Sequence, residues 1–268
     1  MQFLGQHFLN NKKVIQKILT AIDIQPDELI VEIGPGHGEL TESLITTANE
    51  KRARIIAVEK DKTLAENLQK KFANEIASGI LTVVAEDARE FLKGGQVPFT
   101  QAPATYKLVG NLPYYLTGHL LRLAGELTTQ PTRCVFMIQK EVADRIIAEP
   151  PKMNRLAASI QFWAEPKIIT LVPKTDFSPP PKVESAVIQL DLRKNISATA
   201  IGKPETYYAA VHAIFAQPRK TLLNNLATLN DIGKEKAEKI IKSLDIDLKA
   251  RPQNLSITQI EAIAVSVA

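Results

Sequence analysis

Cysteine is almost absent from this chain: one residue, Cys134, in 268. A lone thiol excludes a disulfide framework and a cysteine-rich zinc site, and it predicts a reducing, cytoplasmic setting. Long hydrophobic runs are also missing, with nothing near the ~18 uninterrupted apolar residues of a membrane span. Residues 1–9 lack the charged leader and apolar core of a signal peptide. The four histidines, His7, His37, His119 and His212, are scattered without metal-ligand spacing, so no metal is expected. There is no internal repeat, and no low-complexity segment beyond three prolines at 179–181.

Charge of one sign is scarce too, at a net +4, but it is unevenly placed. Residues 1–100 hold 12 Lys and Arg against 14 Asp and Glu; residues 101–195 hold 12 against 8, and residues 196–268 hold 9 against 7. The positive excess therefore lies in the later part. Arg155, Lys182, Arg219 and Lys220 are the leading candidates there for a phosphate-binding, RNA-facing surface, with Lys152, Lys167 and Lys174 beside them. An ordinary solvated surface accounts for the charge equally well.

With 45% hydrophobic residues the chain can bury a full core, and its length suits one large domain and a smaller one. Val14, Ile15, Ile18, Leu19 and Ile22 recur at helical spacing after a capping pair, Asn10-Asn11. Apolar runs at 29–33, 55–58, 80–84, 107–109 and 134–138 then read as strands, and 39–46, 62–72, 116–127 and 140–148 as helices. This alternation predicts an α/β fold, a doubly wound, mostly parallel sheet with its ligands at the carboxyl ends of the strands. Two more strands, 168–172 and 185–192, close the sheet by a hairpin-like return. After Leu192 a polar linker leads to short helices at 205–215, 219–226, 234–244 and 258–264. The expected division is thus a catalytic domain over 1–195 and a small all-helical domain over 196–268.

Leu29-Ile30-Val31-Glu32-Ile33 runs directly into Gly34-Pro35-Gly36-His37-Gly38 and a helix. Glycines here let a ligand approach the backbone at a helix N-terminus. A dinucleotide site needs its third glycine three residues after the second, where this chain has Glu39, a carboxylate set near a pyrophosphate. S-adenosylmethionine carries no phosphate and meets no such penalty. Glu59, ending the next strand, is placed to accept both ribose hydroxyls of an adenosine, and Asp87, after the third strand, to accept from the adenine amine. Arg89 reads as a helix-surface residue.

Asn111-Leu112-Pro113-Tyr114 follows the fourth strand. An exocyclic adenine amine is a poor nucleophile because its lone pair is conjugated into the ring. Two acceptors, the Asn111 side-chain oxygen and the Leu112 carbonyl, draw the nitrogen toward a tetrahedral shape by taking its two N–H bonds. Pro113 stiffens the turn and Tyr114 offers a stacking face. Phe177, before the triple proline, is a candidate for the other face of a flipped base, or else a plug in the core. The chemistry is then a displacement governed by orientation, with no metal and no nucleophilic side chain.

Taken together these blocks resemble the small-subunit rRNA adenine-N6,N6-dimethyltransferases. The likeness runs in order through Gly5-Gln6-His7-Phe8-Leu9, 31–38, Val58-Glu59-Lys60-Asp61, Glu86-Asp87-Ala88, Gly110-Asn111-Leu112-Pro113-Tyr114, 137–145, 177–187 and 215–226. It implies a Rossmann-like class I S-adenosylmethionine-dependent methyltransferase that dimethylates two adjacent adenosines near the 3′ end of 16S-type rRNA. The implied partner is a pre-assembled small ribosomal subunit, met by a monomer. Carried over by motif, donor contacts fall on His7, Leu9, Gly34, Gly36, Glu59, Asp87, Ala88 and Asn111, and the acceptor clamp on Asn111, Leu112, Tyr114 and Phe177. Three positions depart from the family pattern: His7 stands for a common Asn, Met153-Asn154-Arg155-Leu156-Ala157 for Tyr-Gly-Arg-Leu-Ser, and Pro218 for Arg. Asn can adopt the left-handed conformation at some cost. The alternatives are a large-subunit rRNA methyltransferase conferring antibiotic resistance, a ribosome-assembly factor with secondary methylation, and a dinucleotide-dependent oxidoreductase. The oxidoreductase is disfavoured by Glu39 and by the lack of a hydride-transfer acid–base set.

Overall fold

The structure is a computed structural model that describes residues 7–93, 105–114, 116–193, 204–229 and 232–267. Its strands are β1 (Phe8–Leu9), β2 (Leu29–Ile33), β3 (Arg54–Glu59), β4 (Leu81–Ala85), β5 (Tyr106–Asn111), β6 (Arg133–Gln139), β7 (Ala164–Val172), β8 (Phe177–Ser178) and β9 (Ser185–Leu192). Seven of them form one sheet in the order β4-β3-β2-β5-β6-β9-β7. The neighbours from β4 through β6 run parallel and β9 lies antiparallel to β6. This is the predicted doubly wound sheet.

Every residue of β2 is buried, as expected of a central parallel strand covered on both faces. The helix Lys12–Ile22 buries Val14, Ile15, Ile18, Ala21 and Ile22 as one stripe. Asn11 caps it by accepting from the Lys13 N–H. Those side chains join Ile30, Leu44, Ile55 and Val109 in one core. Each fully buried aliphatic side chain contributes roughly 1.5–3 kcal/mol. Strand order reverses at β2, whose neighbours β3 and β5 lie on opposite sides. A crevice for ligand therefore opens at the carboxyl ends of β2, β3 and β5.

The chain divides into two compact units, Met1–Ala143 with Glu165–Leu192, and Asp144–Ala164 with Arg193–Ala268. A single break near residue 195 is therefore not what the structure shows, because the segment 144–164 belongs with the later helices. Phe162 stacks on Tyr207 at 3.9 Å, and the Tyr207 hydroxyl donates to the Ala158 carbonyl. Arg193 donates to the Gln161 carbonyl and to the Glu261 carboxylate. Within this unit Asn154 is extended, at φ −143°, not left-handed. Its side chain caps the helix Arg155–Gln161 by accepting from Leu156 and Ala157, a role that glycine could not fill. The helix expected over 219–226 begins only at Leu222, capped by Thr221, so Arg219 and Lys220 lie in the turn before it. No helix among the described residues is long and apolar enough to cross a membrane.

One contact sets how the two halves of the crevice meet. In the β2–β5 register Ile33 sits opposite Gly110, and a Cβ on Gly110 would lie 2.2 Å from the Ile33 carbonyl oxygen. Backbone cannot yield as a side-chain tip can, so only glycine fits. Gly110→Ala is expected to destabilise the protein by ~3 kcal/mol or more, seen as a lowered urea midpoint. A wild-type midpoint would show that the two strands separate freely at this point.

Candidate active site

The donor half of the site grows out of the end of β2. Gly36 has φ +60°, a conformation that favours glycine, and its N–H donates to the Glu59 carboxylate at 3.1 Å. The other Glu59 oxygen accepts from the Asp61 N–H at 2.9 Å. Main-chain donors thus aim a carboxylate that is only 5% exposed, and burial raises its pKa. Beside it stands a group that sequence reasoning missed. Glu32 is 1% exposed within β2, and Thr41 donates its hydroxyl to it at 2.7 Å. Burial pushes Glu32 up to about 8; the Thr41 bond opposes that shift, and the negative charges of Glu39 and Glu59 add to it. The available signal was a carboxylate inside an otherwise apolar strand.

Asn111, the last residue of β5, begins the other half. Its side-chain N–H donates to the His7 carbonyl at 2.8 Å, which leaves the amide oxygen as the unclaimed end. The Leu112 N–H donates to the Met137 carbonyl at 3.1 Å, extending the sheet by one bond. Among the described residues no donor reaches the Asn111 side-chain oxygen or the Leu112 carbonyl. The Pro113 carbonyl accepts from the Leu116 N–H at 2.9 Å and closes the turn. The Tyr114 hydroxyl lies 2.9 Å from that of Ser185, which is wholly buried, so the tyrosine ring is tethered at its far end. Ser185 is a second residue that the sequence pattern did not reveal. The His7 ring faces Tyr114 with centroids 6.0 Å apart, and its Nδ1 is 2.8 Å from the Pro179 carbonyl.

One cavity is lined by both halves: Gly34, Gly36 and Glu59 with Asn111, Leu112 and Tyr114, and His7 among them. Leu9 lines a second cavity with Glu32, Gly34 and Asn111. Asp87 lies at the carboxyl end of β4, its carboxylate held well below the usual range first by the Arg89 side chain. Arg89 is accordingly not a simple helix-surface residue, since it turns back onto Asp87. Ala88 is buried at the start of the helix Ala88–Lys93. Of the two readings of Phe177, a clamp on a flipped base or a plug in the core, the structure shows the plug. It pairs with Leu9 between β1 and β8, is 4% exposed, and belongs to the hydrophobic core, so it presents no open face to a base. Arg155, Lys182, Arg219 and Lys220 are exposed, and none has an acidic partner among the described residues.

Two open acceptor oxygens beside a glycine loop suit methylation of an amine, and comparison with known proteins decides the family. A model described as ribosomal RNA adenine dimethylase matches residues 1–268. The chain belongs to that family. The chain is 39% identical to ribosomal RNA small subunit methyltransferase A of Pelotomaculum thermopropionicum, over 98% of this chain and 90% of that one. It is 36% identical to the protein of the same name from Dehalococcoides mccartyi, over 99% and 87%. Among solved structures, a dimethyladenosine transferase from Plasmodium falciparum superposes with a TM-score of 0.77 at 23% identity, covering 96% of each chain. The 23S rRNA methyltransferase ErmE gives 0.72 at 22%, covering 97% and 98%. These two likenesses concern the fold, the doubly wound, mostly parallel sheet with its helices. The chain's own residues fit S-adenosylmethionine as a donor: a glycine loop whose Gly36 N–H aims the Glu59 carboxylate, and a cavity joining both to Asn111.

Glu32 gives a test that needs no substrate. A carboxyl whose folded-state pKa is raised contributes stability below its unfolded value of 4.5, and that contribution is lost as pH rises through about 8. Glu32→Gln keeps an acceptor for Thr41 and cannot ionise. The variant is expected to gain on the wild type between about pH 5 and about pH 9, by a few kcal/mol at the upper end on the order-of-magnitude scale of such shifts. Urea denaturation at both ends of that window measures the gain; a constant offset would mean that Glu32 does not titrate there.

Proposed function

We propose that this protein dimethylates the N6 amines of two adjacent adenosines near the 3′ end of small-subunit (16S) rRNA during small-subunit biogenesis. It acts as a cytoplasmic monomer on a pre-assembled small subunit. The carrying observation is the pair of acceptors unclaimed among the described residues, the Asn111 side-chain oxygen and the Leu112 carbonyl, on the cavity that also holds Gly36 and Glu59. The names of the relatives support the small subunit as substrate.

S-adenosylmethionine, when bound, supplies a methyl group on a positively charged sulfur. Glu59 would accept from its ribose hydroxyls, Asp87 and Ala88 would hold its adenine, and Gly34 and Gly36 would let it lie against the loop. His7, Leu9 and Asn111 would border its methionine end. On the acceptor side, the Asn111 oxygen and the Leu112 carbonyl take the two N–H bonds of the target amine and so aim its lone pair. The His7 carbonyl keeps the Asn111 amide from turning over, because the reversed amide would face carbonyl with oxygen. Tyr114 presents a ring face whose tilt is held by Ser185. Catalysis by these groups is orientation and hydrogen bonding, not proton abstraction.

Incubation with labelled S-adenosylmethionine and undermethylated subunits, followed by mapping of the modified adenosines, tests the reading. Label is expected in two adjacent adenosines of the small subunit, and label confined to the large subunit would overturn the substrate. Asn111→Ala should cut turnover by about two orders of magnitude. A variant that retains wild-type turnover would remove Asn111 from the chemistry.

Recognition of the RNA falls to phosphate and shape contacts, because a flipped adenine offers the same edge in any sequence. Arg155, Lys182, Arg219 and Lys220, exposed and without acidic partners among the described residues, are the groups we assign to it. Reversing Arg219 and Lys220 to Glu should weaken subunit binding roughly tenfold and flatten its salt dependence while sparing donor affinity. Unaltered binding across a salt titration would exclude this turn from the contact surface.

A further inference from the structure

The carboxylate of Asp87 is fully subscribed. Its Oδ1 accepts from the Arg89 main-chain N–H at 3.0 Å and from Arg89 Nε at 2.9 Å. Its Oδ2 accepts from Arg89 Nη2 at 2.7 Å and from Lys60 Nζ at 3.1 Å. A carboxylate has about four lone-pair sites, and four donors occupy them here. An incoming amine can bond to Asp87 only by displacing one of these four.

The four are not equally held. Arg89 grips through three bonds, one of them main-chain at the start of the helix Ala88–Lys93, and its two side-chain bonds form a planar fork. Lys60 makes a single, longer contact through a side chain that is 54% exposed, and water stands ready to replace it. Lys60 also directly follows Glu59, so the residue beside the ribose acceptor in sequence reaches across to the adenine acceptor. We propose that Lys60 sets the donor's affinity and its preference for adenine by competing with the adenine amine for Asp87, while Arg89 holds the carboxylate in place. The inference rests on the reading of Asp87 as the adenine acceptor. It concerns this chain's own Lys60, not the acceptor assignment itself.

The competition has a signature that loss of packing would not produce. Adenosine carries the 6-amino group, and purine riboside lacks it but is otherwise the same. Each would be measured by competition against labelled S-adenosylhomocysteine, with the full-length protein. Lys60→Ala is expected to tighten adenosine binding about two- to fivefold, the range of an exposed ion pair, and to leave purine riboside unchanged. The adenosine-over-purine-riboside ratio therefore rises. Asp87→Ala should bring that ratio close to one. If Asp87→Ala leaves the ratio at its wild-type value, the assignment of Asp87 is wrong and the inference falls with it. If Asp87→Ala collapses the ratio but Lys60→Ala leaves it unchanged, Asp87 stands and the competition by Lys60 is refuted. Equal tightening of both nucleosides by Lys60→Ala would also refute it, because that marks a general charge effect.

Discussion

The parallel pairing of β2 with β5 is the constraint on which the site depends. It places Ile33 opposite Gly110, so the glycine loop and the Asn111 turn leave the sheet at the same level and on adjacent strands. The absence of a Cβ at Gly110 permits that approach. Everything built on the two strand ends inherits this spacing. Asn111 can reach the His7 carbonyl, and one cavity can include residues from both loops, while the β2–β3 pairing brings Glu59 to Gly36. A shift of register by one residue would exchange the faces of β5 and turn Asn111 away from the loop.

Three carboxylates along the strand ends are driven to different states by their surroundings. Glu32, sealed in β2 with a single hydroxyl donor, is favoured in its neutral form. Glu59 is also raised by burial, but the main-chain N–H groups of Asp61, Gly36 and Lys60 resist the shift. Asp87, with Arg89 and Lys60 upon it, stays ionised far into acid. The charge of Glu59 adds to the upward shift of Glu32, whereas the cations of Arg89 and Lys60 hold Asp87 ionised.

Much of this was legible in the residues. Apolar runs such as 29–33 and 134–138 mark central strands because burial on both faces removes any alternation, and the glycines and Asn-Leu-Pro-Tyr mark the turns after them. What periodicity could not reach was short or depended on partners distant in sequence. β1 and β8 are two residues each and exist only because Phe8 and Leu9 meet Ser178 and Phe177. That same pairing takes Phe177 into the core, against its reading as half of a base clamp. Asn154 looked like an awkward substitute for glycine, yet it caps a helix too short to show a pattern. Ser185 and Thr41 matter through single hydrogen bonds to Tyr114 and Glu32, and a hydroxyl's partner cannot be read from a linear chain. The segment 144–164 likewise joined the helical unit through Phe162 and Arg193, contacts that no local pattern announces.

The acceptor pair is chemically symmetrical and genetically lopsided. Asn111 contributes a side-chain oxygen that a single codon change can remove, whereas Leu112 contributes main chain, which survives every substitution at its own position. A mutational scan would therefore report only one of the two acceptors. A compound designed to donate a hydrogen bond to the Leu112 carbonyl would hold a contact that no change of the Leu112 side chain deletes directly. Escape from it would have to come through displacement of the turn, and Pro113, the Met137 bond and the closed space at Gly110 all oppose that movement.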